Sequence, residues 1–203
     1  MARVDPPPTL ASRIVRRLLL WLYNAMGWTA VGAPPPDRRC VIVAAPHTSN
    51  WDFILFLGLT NALGIKAHFM GKASLFKWPM TRFMKDMGGV PIDRSKSRNY
   101  VEATIAEFER RKEFMLVISP EGTRSAVTQW RSGFYHIAMG AKVPLVLGWI
   151  DYQRKIGGLG PAFMPTGDYA ADMRTIVAFY ADKVARHPAR TAHDYDTIVG
   201  TNK

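Results

Sequence analysis

Residues 40–46, CVIVAAP, are the stretch of sequence that decides the fold. Apolar side chains follow one another here without the alternation of a half-exposed strand, which predicts a strand buried on both faces. Polar residues follow at once, in HTSNWD at 47–52. In a parallel sheet, ligands bind beyond the carboxyl ends of the strands, so this polar exit is either a helix cap or part of a binding site.

Strands and helices alternate along the rest of the chain. Further strands are predicted at 65–72, 90–93, 114–120 and 143–152. Helices are predicted at 53–64, 76–89, 98–113, around GFYHIAMGA (133–141) and at about 169–186. This order predicts an α/β fold with a mixed, largely parallel sheet covered by helices on both faces, preceded by an N-terminal amphipathic helix.

Length and charge restrict the class of protein. The chain has 203 residues, enough for one domain with or without an appendage, and a formal net charge of +11. Such a charge attracts nucleic acid, anionic lipid headgroups or phosphorylated substrates, and its sign alone does not choose among them. Cys40 is the single cysteine, which excludes an internal disulfide and fits a small buried side chain in a reducing compartment.

The N-terminal segment SRIVRRLLLWLYNAMGW, residues 12–28, predicts a short helix that is basic at its start and rich in Leu and aromatic residues, with Ser12 as its cap. Such a helix either lies in a membrane interface or packs on the core of its own domain. Proline tracts at 6–8 and 34–36 bracket it, so we separate residues 1–36 from a main domain at 37–203. Its apolar stretch is shorter than the roughly 20 residues of a spanning helix, and neither a transmembrane helix nor a signal peptide is predicted.

His47 and Asp52 are the first candidates for chemistry. If His47 lies in the turn before a helix and Asp52 in its first turn, the carboxylate can fold back onto the imidazole. One ring nitrogen is then held, and the other is free to act as a general base toward a hydroxyl. Thr48, Ser49 and Asn50 are predicted to cap the helix. A structural His–Asp pair is the alternative interpretation.

Two more polar clusters follow predicted strands. GGVPIDRS (88–95) contains Arg94, and SPEGTRS (119–125) contains Glu121, Gly122, Thr123 and Arg124. Arginine side chains at strand ends can grip a phosphate with paired donors. Either cluster could instead be a surface ion pair or a turn.

In this order, the blocks resemble the signatures of the 1-acylglycerol-3-phosphate acyltransferases, the glycerolipid acyltransferase family. HTSNWD resembles its first motif, HX4D, in which four residues separate a His from an Asp. GKASLFKWPMTRFMKDMGGVPIDR (71–94) is similar to the second, SPEGTRS to the third, and VPLVLGWI (143–150) to the fourth. Pro46 and Trp51 depart from the usual residues of the first motif and point to an unusual acceptor.

The resemblance implies phospholipid biosynthesis by a membrane-associated transferase, with residues 37–203 as its catalytic domain. His47 would deprotonate the acceptor hydroxyl, and Asp52 would orient His47. Arg94 and Lys72 would bind the acceptor phosphate, and the acceptor pocket would be shaped by Glu121, Gly122, Thr123 and Arg124. Acyl-CoA or acyl carrier protein would be a co-substrate rather than a cofactor. The expected location is the cytoplasmic face of the inner membrane, on anionic lipid.

Other chemistry finds little support in the sequence. The remaining histidines lack the spacing of a metal site, and there is no CxxC, GxSxG or Walker-type loop, so we predict neither a metal nor a nucleic-acid partner. Three alternatives stay open. They are transfer to a non-glycerol lyso-lipid, a lipid hydrolase or transacylase, and a non-catalytic module that binds anionic membrane or nucleic acid.

Overall fold

The computed structural model describes residues 7–92, 97–191 and 195–199. Seven strands of this part form one sheet: β1 (Thr29–Val31), β2 (Arg39–Ala45), β3 (Ala67–Lys72), β4 (Gly89–Ile92), β5 (Phe114–Ile118), β6 (Leu145–Asp151) and β7 (Ile156–Phe163). The α-helices are α1 (Leu10–Ala25), α2 (Asp52–Ala62), α3 (Met80–Asp86), α4 (Ser97–Arg110), α5 (Gly133–Ala141), α6 (Tyr169–Tyr180) and α7 (Tyr195–Val199). Short 3-10 turns lie at Ala73–Phe76 and Pro188–Arg190.

The strand order is β1-β7-β6-β2-β5-β3-β4. Strands β6, β2, β5, β3 and β4 are parallel, and β7 runs antiparallel to β6 and parallel to β1. This is the mixed, largely parallel sheet that the alternation of elements predicted, and the fold class is confirmed. Pro91, which cannot donate to a ladder, lies in β4 at the sheet edge, where a strand tolerates it.

Both faces of the sheet are covered. Val41, Val43 and Ala45 of β2 join a core with buried side chains of α4, α5, α6 and α7. The intervening Cys40 and Ile42 face the other side and pack with apolar side chains that include those of α2. Because alternate residues of β2 serve two cores, the strand has no polar face, as the CVIVAAP run indicated.

Helix α1 is amphipathic and packs on α2 through one face. Its Tyr23 is 4% exposed and lies against Gly58, where an added Cβ would meet the tyrosine ring at 2.1 Å. Five large apolar side chains of the same helix are exposed, namely Leu10, Ile14, Val15, Leu18 and Trp21. No helix in the described ranges is long and apolar enough to cross a bilayer.

The structure corrects several predicted boundaries. Thr9, not Ser12, caps α1, since its Oγ1 accepts the main-chain N–H of Ser12, which is buried in the first turn. Helix α6 ends at Tyr180 rather than near residue 186. Strands β1 and β7 and helix α7 were not predicted. Strand β7, IGGLGPAF, contains three glycines and a proline, residues that are depleted in strands, yet a Cβ at Gly158 would lie 1.8 Å from the carbonyl oxygen of Val31, so glycine allows β1 to pair there.

Candidate active site

Three neighbouring parallel strands deliver the candidate site residues to one edge of the sheet. Strand β2 lies between β5 and β6, so the residues that follow these strands converge. His47 follows β2, Glu121 follows β5, and Tyr152 follows β6.

His47 and Asp52 are in direct contact. His47 Nδ1 lies 3.0 Å from Asp52 Oδ2, across the turn that joins β2 to α2. The histidine side chain is 31% exposed and the aspartate side chain 6%. The imidazole therefore has a buried, hydrogen-bonded side and a partly exposed side. The contact is the one expected if His47 lies in the turn before the helix and Asp52 in its first turn.

The carboxylate of Asp52 organises this turn. Its Oδ2 also accepts the main-chain N–H groups of Thr48 and Ser49, each at 3.0 Å, and its Oδ1 accepts the hydroxyl of Tyr152 at 2.5 Å. With four donors, both oxygens are held and Oδ2 is directed at His47. Hydrogen bonds of this kind stabilise an ionised carboxylate in a buried position.

The predicted capping of α2 by Thr48, Ser49 and Asn50 is wrong in detail. The helix cap is Trp51, and it makes no side-chain capping bond. Thr48 Oγ1 instead accepts the N–H of His187 at 3.2 Å, and Ser49 Oγ accepts the N–H of Trp51. The turn is closed by Asp52 itself, the one residue there whose carboxylate can accept several N–H groups at once.

Glu121 lies beneath His47. Its side chain is 2% exposed, and its Oε2 accepts the main-chain N–H of His47 at 2.8 Å. Burial, aided by the charge of Asp52, raises the pKa of Glu121 to about 7, against the hydrogen bond and charge of His47. Its observed contact is thus with the loop that carries the candidate base.

The other residues of the third motif lie further out. Gly122 has φ +68°, and a Cβ there would lie 2.9 Å from Arg131 Nε. Thr123 and Arg124 are exposed, and Thr123 Oγ1 accepts the N–H of Ser125. Lys72 ends β3, and Arg94 lies outside the described residues.

Two residues near His47 were missed in the sequence. The one signal for Tyr152 was its position at the end of a predicted strand, although no sequence pattern placed that strand beside β2. Arg186 gave no such signal. Its guanidinium carbon lies 5.2 Å from the ring centroid of Trp51 and 5.8 Å from that of Tyr152, after α6 has ended.

A groove of about 1400 Å³ lies elsewhere, lined by residues of α2, α3 and α4 such as Thr60, Lys85 and Glu107. His47 and Asp52 do not line it. The groove and the His47–Asp52 pair are therefore separate features of the surface. Among the described residues, no three His, Cys, Asp or Glu side chains converge as metal ligands would.

The family model for acyltransferases matches residues 33–150, more than half of the chain. The chain belongs to the acyltransferase family. The family suggested by the four sequence blocks is thereby confirmed. The matched region of this acyltransferase includes His47, Asp52 and Glu121 and ends two residues before Tyr152.

A solved structure has a similar fold. The crystal structure of the 1-acyl-sn-glycerophosphate (LPA) acyltransferase PlsC from Thermotoga maritima aligns with a TM-score of 0.53 and 19% sequence identity. The alignment covers 78% of this chain and 70% of that one. At this identity the likeness establishes the fold. No curated protein sequence matches the chain.

Proposed function

We propose that this acyltransferase moves an acyl chain from acyl-CoA or acyl carrier protein to the hydroxyl of a lysophospholipid-type acceptor such as 1-acylglycerol-3-phosphate. The observation that carries the proposal is the contact of His47 Nδ1 with Asp52 Oδ2 at 3.0 Å, with the imidazole still partly exposed. A base held on one side and open on the other suits proton abstraction from a bound hydroxyl.

His47 acts through Nε2 in this mechanism. With the proton on Nδ1 donated to Asp52, Nε2 accepts the proton of the acceptor hydroxyl as its oxygen attacks the thioester carbonyl. The tetrahedral intermediate collapses, the C–S bond breaks, and the leaving thiolate takes this proton from Nε2. The products are an ester and a free thiol, and no acyl-enzyme forms.

Asp52 orients the imidazole and stabilises its cationic form during transfer. Its four hydrogen bonds hold the carboxylate in place before the substrate arrives, so little reorganisation accompanies the charge that develops on His47. A preorganised carboxylate of this kind is what an orienting acid requires.

We assign the acceptor phosphate to Arg94 and Lys72, and the acceptor pocket to residues 121–124, as the family resemblance implies. The exposed positions of Thr123 and Arg124 are compatible with ligand contact. Glu121 contributes through the His47 loop, because its carboxylate is buried there. The reaction as proposed uses no cofactor and no metal.

The proposed site of action is an anionic membrane surface, at the cytoplasmic face of the inner membrane. Helix α1 supports this through its exposed Leu10, Ile14, Leu18 and Trp21, next to arginines at 13, 16 and 17. An apolar stripe flanked by cations suits the headgroup boundary. We accordingly propose residues 1–36 as the interfacial segment and 37–203 as the catalytic domain, with no nucleic-acid partner.

The test is release of free thiol from acyl-CoA and acyl carrier protein thioesters, in lipid-containing buffer, with a panel of lyso-acceptors. His47→Ala should abolish release, whereas the exposed His136→Ala should retain it. Equal activity of His47→Ala and wild type would overturn the assignment of the base. Acceptor-independent thiol release would favour a hydrolase, and absence of release with every acceptor would refute the proposed reaction.

A further inference from the structure

Tyr152 is tied to the candidate base pair from outside the region that the family model matches. Its hydroxyl donates to Asp52 Oδ1 at 2.5 Å, on the oxygen opposite the one that faces His47. The ring is fixed edge-on against Trp28, with centroids 5.0 Å apart, and its main-chain N–H donates to Val184 at 2.8 Å. The phenol therefore reaches Asp52 from a rigid position.

The phenol is a permanent donor. Burial, then the hydrogen bond to Asp52 and the charge of Asp52, raise the pKa of Tyr152 well above that of a free tyrosine. Tyr152 thus stays protonated wherever the enzyme works, and Asp52 Oδ1 keeps its donor. A carboxylate that is held at Oδ1 cannot rotate Oδ2 away from His47.

Arg186 lies next to Tyr152 and to the turn that carries His47. Its guanidinium lies over the rings of Trp51 and Tyr152, at 5.2 and 5.8 Å from their centroids. The chain that follows is bonded to the same turn, since the N–H of His187 donates to Thr48 Oγ1 at 3.2 Å and Arg190 Nη1 donates to the carbonyl oxygen of Thr48 at 3.4 Å. The segment 186–190 therefore fastens the turn that carries His47.

We propose that Tyr152 and Arg186 are positioning residues for the His47–Asp52 pair. Tyr152 fixes the orientation of the Asp52 carboxylate, and Arg186 fixes Tyr152 and Trp51 by stacking a cation on their rings. The inference rests on the proposed role of His47 as base. It adds that the geometry of the pair depends on residues beyond the motifs of the family.

The first experiment compares Tyr152→Phe with Tyr23→Phe. Tyr23 is a matched control, because its ring is buried in the same cluster of side chains and its hydroxyl has no hydrogen-bond partner among the described residues. Removing one hydrogen bond to a charged group should lower kcat of thiol release about 10- to 100-fold in Tyr152→Phe, with KM changed by less than about threefold. Tyr23→Phe should keep the wild-type kcat.

The second experiment compares Arg186→Gln with Arg186→Lys and with Arg110→Gln, an exposed arginine of α4. Loss of the stacked cation should lower kcat about three- to tenfold, and lysine should restore part of it. Arg110→Gln should have no effect. Equal activity of Arg186→Gln and wild type would remove Arg186 from the proposal.

A measurement without turnover separates this inference from the proposed function. The NMR resonance of the proton on His47 Nδ1, assigned by its loss in His47→Ala, reports the hydrogen bond to Asp52. It should shift in Tyr152→Phe and stay in place in Tyr23→Phe. An unchanged resonance, or an unchanged kcat in Tyr152→Phe, would overturn the positioning role, whereas absence of thiol release from the wild type would overturn only the reaction.

Discussion

Glu121 accepts the main-chain N–H of His47, with 2.8 Å between Oε2 and the nitrogen. The other carboxyl oxygen, Oε1, is buried and has no hydrogen-bond partner in the part of the chain that the structure describes. A buried carboxyl with one unpaired oxygen is more stable with a proton, which agrees with a pKa raised to about 7 by burial. The carboxyl under the candidate base thus ionises near neutral pH.

Stability should therefore fall as the pH rises from about 4.5 to about 7. The unfolded chain loses the proton of Glu121 near its ordinary pKa of 4.5, while the folded protein keeps it to about 7, so the unfolded state binds fewer protons in this window. At about 1.4 kcal/mol per pKa unit, the free energy of unfolding should drop by up to about 3 kcal/mol. Above pH 7 this group contributes no further slope.

Urea denaturation between pH 4.5 and 8 checks this, with Glu121→Gln as the test and Glu102→Gln, an exposed residue of α4, as the control. Glutamine can still accept the N–H of His47 but does not ionise. Its variant should lose most of the pH slope, and Glu102→Gln should keep it. The same pH dependence of the free energy of unfolding in all three proteins would show that Glu121 has an ordinary pKa.

Asp52→Asn should lower kcat of thiol release by about 10³- to 10⁴-fold, the size seen when an orienting aspartate loses its charge. An amide has one acceptor oxygen, so it cannot satisfy His47, two N–H groups and Tyr152 together. Asp172→Asn is the matched control, because Asp172 is also buried and accepts a tyrosine hydroxyl, from Tyr135 at 2.7 Å. It should lower the thermal midpoint and leave kcat within about threefold of wild type.

A similar loss of kcat in Asp52→Asn and Asp172→Asn would mean that activity follows stability. In that case Asp52 would be a structural residue.

Gly122→Ala should lower the free energy of unfolding by more than the positive φ of this residue alone would. A non-glycine residue at positive φ costs about 1–2 kcal/mol, and here the added Cβ also meets Arg131 Nε at 2.9 Å. Gly27→Ala is the control, since Gly27 has φ +71° and open space around its Cβ position. Urea denaturation should give a larger loss for Gly122→Ala, and equal losses would mean that Arg131 moves aside freely.

The sequence predicted the helices and strands that have strong apolar patterns. The buried strand β2 was found because its apolar side chains follow one another without interruption, and helix α5 was placed between two predicted strands. Strand β7 was missed because its glycines at 157, 158 and 160 allow close contacts with Trp149 of β6, Val31 of β1 and Phe179 of α6, and such contacts are invisible without those partners. Local propensity was overridden by tertiary packing.

The candidate site likewise has one part that the sequence predicted and another that it did not. The contact between His47 and Asp52 followed from a short spacing at a strand exit, which local geometry can evaluate. Tyr152 is 100 residues from Asp52 in the sequence, and their hydrogen bond became visible only when the structure placed the ends of β6 and β2 together. Arg186 follows a helix whose end was predicted wrongly, so no sequence pattern brought it to the site.

Helix α1 should bind anionic vesicles through its exposed apolar face. Leu18 and Trp21 are 60% and 68% exposed, so replacing both by Gln removes apolar surface that does not pack within the described chain. At about 25 cal/mol per Å² of apolar area, the double variant should bind about 10- to 100-fold more weakly in vesicle sedimentation. Met139→Gln with Met164→Gln, two exposed methionines outside α1, should bind like wild type. Added salt should weaken vesicle binding by the wild type, because arginines at 13, 16 and 17 contribute by charge. Unchanged vesicle binding by the Leu18 and Trp21 double variant would place the membrane contact elsewhere.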